Sequence, residues 1–381
     1  MKKTLLIAVM VVCCAVLYSF QNNPPVSDER DALADSLRQL YLMPPSQWPS
    51  PNIDPNLKGW LEIGRLPESP VNAKRDSLKH LIKLGNILFF DPRLSGSAQI
   101  SCSSCHAPSL SWTDGRVVGQ GHDHQEGNRN TPSLLNIWYA DKLFWDGRAN
   151  SLEDQAFAPI NNEIEMHGNF GQIIGRLSRI KGYKPLFDSA YGSFEITPDR
   201  ITHALATFQR TIQSRRSRFD DFLDGKKNAL TDQEVKGLHI FRTDARCINC
   251  HNGPVFTDNQ FHNIGLTYYK RKYEDLGLYM TTKNAEDVGK FKTPSLRDVV
   301  HTGPWMHNGL FDELLGIVNL YESGMQVRPV TDEQKVDSLF PKTSVHLQKL
   351  KLTMDQKKDL VAFLGAISTT PRRVRNPELP Q

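Results

Sequence analysis

A mainly α fold of two related units with long loops is the architecture this 381-residue chain predicts. Three observations carry that expectation. The pentad Cys-x-x-Cys-His occurs twice, as Cys102-Ser-Ser-Cys105-His106 and as Cys247-Ile-Asn-Cys250-His251. A degenerate repeat links the halves: Thr131-Pro132-Ser133-Leu134 returns as Thr293-Pro294-Ser295-Leu296, and at the same offset Trp145-Asp146-Gly147 faces His307-Asn308-Gly309. The periodic segments have helical spacing, with no convincing series of alternating strands.

Taken in order, Lys2-Lys3 and the apolar run from Thr4 to Phe20 form an export signal, cleaved or kept as an anchor. Lipidation at Cys13 or Cys14 is a further option, although Val12 stands where a small residue would be expected. Residues 21–56, rich in Pro, Ser and Asn, read as an extended lead-in with one helix over 28–41. Lys83-Leu84-Gly85 before the first pentad loosely resembles Glu234-Val235-Lys236-Gly237 before the second. Ile201, Ala204, Leu205, Phe208 and Ile212 recur at helix spacing behind a Thr197 cap and Pro198. Thr231 with Glu234, and Thr353 with Gln356, have capping-box spacing. A helix is expected from Phe311 to Tyr321, and the Asn-Pro-Glu-Leu-Pro end is a tail. The chain therefore divides into 1–20, the lead-in 21–56, a first unit 57–225 and a second unit 226–381, whose final helix is allowed to pack back on the first.

In such a pentad two thiols add across the vinyl groups of a haem, and the imidazole ligates iron. A single copy would also fit a zinc knuckle or a redox dithiol. Two copies predict two covalently held c-type haems, attached at Cys102, Cys105, Cys247 and Cys250 and ligated by His106 and His251. Of six cysteines, two lie in the N-terminal apolar run and four in the pentads, which leaves none for a disulfide. Haem attachment then takes place outside the cytoplasm. With Lys2 and Lys3 set aside, 46 basic residues against 42 acidic ones become close to balanced, and nothing suggests nucleic acid.

The halves differ where chemistry would occur. After Trp145-Asp146-Gly147 the chain supplies Gln155 and then Glu163-Ile164-Glu165-Met166, whereas the matched offsets in the second copy give Ile317 and Val327. Acid/base equipment in one half implies one haem for chemistry and one for electrons.

The segments Leu84-Gly85 through Leu88-Phe89-Phe90-Asp91-Pro92-Arg93-Leu94-Ser95, Arg129-Asn130-Thr131-Pro132-Ser133, Phe144-Trp145-Asp146-Gly147-Arg148, Glu165-Met166, Phe291-Lys292-Thr293-Pro294 and Gly303-Pro304-Trp305-Met306-His307-Asn308-Gly309, with both pentads, resemble the bacterial di-haem cytochrome c peroxidase family. That family includes the di-haem enzyme that matures the tryptophylquinone of methylamine dehydrogenase. The resemblance implies two cytochrome c-like domains and periplasmic reduction of hydrogen peroxide to water. Electrons from a small c-type cytochrome or similar donor would enter at the C-terminal haem and pass to a peroxidatic N-terminal haem. The family is often homodimeric.

A haem peroxidase needs a base that moves a proton from the inner to the outer peroxide oxygen. Glu165 is the candidate, with Glu163 as its local rival, and Gln155 would position peroxide. His122 matches a histidine that caps the N-terminal iron until the other haem is reduced; His124 is its rival, and Gly119, Gly121 and Gly127 would let the loop move. Trp145 matches an electron relay between the haems. Asn130 with the backbone at Thr302 and Pro304 matches an inter-domain calcium site.

One position departs from many members of the family. Fourteen residues after His307 they place a methionine on the second iron, and here stands Tyr321. The maturation enzyme has a tyrosine there, and an anionic phenolate should lower the potential. Met325 and Met306 remain rival ligands. A maturation-type enzyme that uses peroxide-derived high-valent iron to oxidise a partner protein is therefore the second reading, and a pure electron carrier the third.

Overall fold

The computed structural model describes residues 26–325 and 330–381; the export segment, Cys13, Cys14 and Val327 lie outside them. In chain order the described elements are α1 (Val26–Tyr41), α2 (Lys79–Phe90), α3 (Cys102–Cys105), α4 (Leu152–Asn161), α5 (Phe170–Ser178), α6 (Tyr183–Tyr191), α7 (Pro198–Gln209), α8 (Arg218–Leu223), α9 (Asp232–Arg242), β1 (Phe261–His262), α10 (Tyr279–Thr282), β2 (Phe291–Lys292), α11 (Leu314–Glu322), α12 (Asp332–Val336) and α13 (Met354–Ala366). Strands β1 and β2 form one short antiparallel pair, so the mainly α expectation holds. Thr197 caps α7, and the Thr231/Glu234 and Thr353/Gln356 boxes open α9 and α13 as their spacing predicts. Helix α11 starts at Leu314 rather than Phe311. Phe311 instead accepts a hydrogen bond from the Trp305 N–H at 2.7 Å.

Each unit is built on one crossing of two helices. In the first, α2 meets α7 at Gly85, where a Cβ would overlap the backbone oxygen of Ala204 and crowd Phe208. In the second, α9 meets α13 at Gly237, where a Cβ would overlap the backbone oxygen of Asp359 and crowd Phe363. The faint sequence likeness before the pentads thus marks two equivalent glycines that let helix backbones touch. Leu84, Leu88, Phe89, Ile201, Leu205 and Phe208 fill the first core. Val235, Leu238, Phe241, Phe256, Leu360 and Phe363 fill the second. The repeat also persists in loop shape: Asn136 and Asp298 both take left-handed backbone, at φ 58° and 60°.

Packing draws the unit boundaries differently from 57 and 225. Tyr41 and Trp48 from the lead-in belong to the second core, as do Ile63 just beyond it and Phe219 and Phe222 of α8. Arg242, buried on α9, holds the lead-in through Tyr41 Oη and Pro49 O, and the segment after it through the Glu62 carboxylate. The apolar faces of these segments find their complement across the chain rather than beside them in sequence. The final helix α13 closes the second core instead of packing back, because it supplies the α9 crossing that α7 supplies for α2. What reaches the first unit is the tail, where Arg93 donates to Pro380 O and the Gly182 N–H to Gln381 O, both at 3.0 Å. Among the described residues no helix is long and apolar enough to cross a membrane.

Candidate functional site

The two pentads are set in matching frames. His106 Nδ1 donates to Trp112 O at 3.0 Å, and His251 Nδ1 donates to Phe256 O at 3.1 Å. Trp112 and Phe256 both take positive φ, 62° and 58°. Each turn is buttressed by the repeat serine: Ser133 Oγ donates to Ser111 O, and Ser295 Oγ to Val255 O, both at 2.6 Å. With Nδ1 committed to a carbonyl, Nε2 of each imidazole is the atom that could bind a metal. Burial holds both rings below the usual imidazole range, against those same hydrogen bonds, so they are neutral as a ligand must be.

Burial raises all four pentad thiols. Burial pushes Cys102 and Cys247 up to about 12. Burial, then the charges of Asp114 and Glu165, pushes Cys105 up to about 11. Reactive dithiols carry lowered values.

Beside the second pentad lies a cavity of about 330 Å³. Phe241, Val255, Leu296, Val299, Ile317 and Leu364 give it the apolar walls a macrocycle needs, and Cys247, Cys250 and His251 line it too. Tyr321 and Met306 also line it, while Met325, though buried, does not. Burial, with the charges of Cys250 and Cys247 adding to it, pushes the Tyr321 phenol up, so a bound cation would be required to make it a phenolate. His307, stacked on Phe291 at 3.5 Å, has a buried Nε2 with no protein partner, and burial pushes it down to about 4. An orphaned nitrogen on the wall of an apolar cavity agrees with a cavity shaped for a prosthetic group.

Trp145, although part of the first half, lines the same cavity. Its indole N–H donates to Asn130 O at 2.9 Å, and the Asn130 N–H donates to His307 O at 2.8 Å. Asn130 Nδ2 donates to Arg116 O at 2.8 Å, which turns its amide oxygen the other way. Thr302 and Pro304 line the same cavity as Asn130.

On the first pentad's side, Asn162 organises the acid. Its Nδ2 donates to Glu165 Oε1 at 2.9 Å, and its Oδ1 accepts the Ile164 N–H at 2.9 Å. Burial raises the Glu165 carboxyl above the usual range, against the charge of Arg148 and the Asn162 hydrogen bond. Its rival Glu163 is exposed and lines a separate polar pocket of about 410 Å³ with Asn161, His122 and His167. Gln155 is half-buried on α4, four residues before Pro159, which has no N–H to give the Gln155 carbonyl.

His122 is half-buried, whereas His124 is exposed. Its N–H donates to both Ile164 O and Glu165 O at 2.8 Å, and its ring stacks on His167 at 4.6 Å. Gly121 permits this, because a Cβ there would overlap the Ile164 oxygen. The loops of His122 and Glu165 are thereby latched together. Sequence reasoning missed Asn162 and His167. The Asn-x-x-Glu spacing could have suggested the first, and nothing local signals the second.

Two helical units, each with a Cys-x-x-Cys-His pentad and a carbonyl-oriented imidazole, define a di-haem c-type cytochrome architecture. A model of the di-haem cytochrome c peroxidase family matches residues 79–228. Cytochrome-c peroxidase IdrP1 of Pseudomonas sp. (strain SCT) is 34% identical over 84% of this chain and 89% of its own. Methylamine utilization protein MauG of Methylorubrum extorquens is 37% identical over 83% and 86%. The crystal structure of a MauG-like protein associated with microbial copper homeostasis superposes with TM-score 0.68 at 29% identity, covering 83% of this chain and 95% of that one. The chain belongs to the di-haem cytochrome c peroxidase family, a family of peroxidase-type oxidoreductases carrying two c-type haems.

Proposed function

We propose that this protein is a periplasmic peroxidase that reduces hydrogen peroxide to water with electrons from a small redox protein. The observation that carries the reading is Glu165: a half-buried carboxyl beside Cys105, held by Asn162, with no counterpart at the matched offset of the second half. When bound, haem supplies the iron that takes up peroxide and the electrons. Cys102 and Cys105 with His106 would hold the N-terminal haem, and Cys247 and Cys250 with His251 the C-terminal one. Glu165 accepts the proton of the inner peroxide oxygen and returns it to the outer one, so that water leaves. Gln155 orients peroxide, and His122 caps the N-terminal site at rest. Trp145 would relay electrons from the C-terminal haem towards the N-terminal one. Asn130, Thr302 and Pro304 would hold a calcium ion at the junction.

Tyr321, on the wall of the second cavity, favours a second reading in which the protein oxidises residues of a partner protein. Low-temperature EPR of as-isolated, half-reduced and peroxide-treated protein separates them. Half-reduction that converts low-spin haem to high-spin, abolished by His122→Ala, supports the gated peroxidase. A haem already high-spin at rest, with a long-lived peroxide-treated state lost in Tyr321→Met, supports the second reading.

A further inference from the structure

Residues 268–274 read Tyr-Tyr-Lys-Arg-Lys-Tyr-Glu. The segment leaves the wall of the second cavity at Ile264 and closes its neck where Thr267 Oγ1 donates to Asp275 O and the Asp275 N–H donates to Thr267 O at 2.9 Å. The Asp275 carboxylate then takes Arg129 in two hydrogen bonds of 2.7 and 2.8 Å, one residue from Asn130. The loop is thus fixed at the junction between the units.

Its cations are arranged on its own rings. Lys270 lies over Tyr269 and Arg271 over Tyr268, each at 5.2 Å, and Lys272 over Tyr273 at 4.9 Å. Tyr268 meets Tyr273 edge-on at 6.0 Å. Lys270, Arg271, Lys272 and Tyr273 are nevertheless exposed, Tyr273 by 52%. Lys270 also pairs with Asp337, but an exposed pair contributes little and is readily exchanged. A merely solvated basic run needs no stacked tyrosines. Rings that hold cations in place lower the entropy lost on binding, and Tyr and Arg are the side chains that dominate interface energetics.

We infer that residues 268–274 form the docking platform for an acidic small redox protein, seated beside the second haem cavity. The inference rests on the peroxidase reading for the direction of electron flow alone. Two encounters deliver two electrons, which with two protons convert one hydrogen peroxide to two waters.

The test compares the holo-protein with K270Q/R271Q/K272Q and K270E/R271E/K272E. Binding of a purified acidic c-type cytochrome, and in parallel of a basic one, to the oxidised proteins is measured at low and high salt. Peroxide turnover is followed separately with a small-molecule reductant. The Kd for the acidic cytochrome should rise about tenfold in the neutral variant and further in the reversed one, with the differences shrinking at high salt. Turnover with the small reductant should not change. Acidic-cytochrome binding within twofold of native in both variants overturns the inference, as does tighter binding of the basic cytochrome to the native protein. Failure of the native holo-protein to turn over peroxide with the small reductant would sink the peroxidase reading, and binding would still decide the platform.

Discussion

The indole of Trp145 is fastened to the main-chain oxygen of Asn130 by a 2.9 Å hydrogen bond, and Asn130 is fastened in turn to His307 of the other half. This chain of two bonds sets the indole edge-on to His307, 6.4 Å between ring centres. Trp145→Phe keeps an aromatic ring but loses the pyrrole ring with its N–H donor, leaving a carbonyl unpaired at a cost of about 1–3 kcal/mol. Rapid half-reduction should then show slower electron redistribution between the haems. Redistribution as fast as in the native protein would remove Trp145 from the relay.

Glu165→Gln should lower peroxide turnover roughly 10²–10⁴-fold with haem content unchanged, because the proton acceptor is gone. The sign of the pH effect follows from the raised carboxyl. Activity requires the carboxylate, so the rate should fall on the acid side of a limb lying above about pH 4.3, the ordinary glutamate value. Asn162→Ala removes a hydrogen bond to the charged form and should move that limb to higher pH. A limb that stays in place in Asn162→Ala would separate Glu165 from the rate-controlling proton.

Gly237→Ala should destabilise the second unit by about 1–3 kcal/mol or more, since α9 and α13 must separate to admit one methyl group. Gly85→Ala should do the same to the first unit. Gly225 offers a control, with open space around it. Because its φ is 88°, an alanine there tests backbone strain instead of crowding. Thermal unfolding of the three holo-variants checks the ranking, and native-like melting of both crossing variants would refute close backbone contact.

Arg297 is fully buried and gathers three segments: it donates to Asp220 Oδ2 at 2.7 Å and Ser217 Oγ at 3.3 Å, to Gly64 O at 2.8 Å and to Pro254 O at 2.9 Å. Burial would raise the Asp220 carboxyl, but the Arg297 charge and the hydrogen bonds of Arg297 and Ser217 outweigh it and hold the group below its usual value. A depressed carboxyl stabilises the fold above its unfolded value and loses that contribution as pH falls through the folded one. Denaturant midpoints should therefore decline in acid below about pH 4. Asp220→Asn should cost about 3–5 kcal/mol at neutral pH, by stranding a buried guanidinium, and should flatten the acid decline. An unchanged acid profile in that variant would assign the decline to other groups.

Much of the site could be read from the chain because its chemistry is local. Each pentad places two thiols and an imidazole within five residues, and each helix cap lies within three residues of its partner, so spacing alone specifies them. The repeat of Thr-Pro-Ser-Leu was visible as well, but its use was not: Ser133 and Ser295 act on carbonyls 22 and 40 residues away.

By itself the sequence determined a mainly α fold with two haem-type pentads and acid/base residues in one half. It could not decide which of Glu163 and Glu165 is sheltered, because shelter depends on Asn162 and on walls brought from other segments. Nor could it find the unit boundaries: the periodicity of α8 shows that Phe219 and Phe222 are buried, not against which core. The tertiary structure decided these points, along with the latch between the His122 and Glu165 loops. A helix face records how apolar it is, while the identity of the surface that covers it exists only once distant parts of the chain have met.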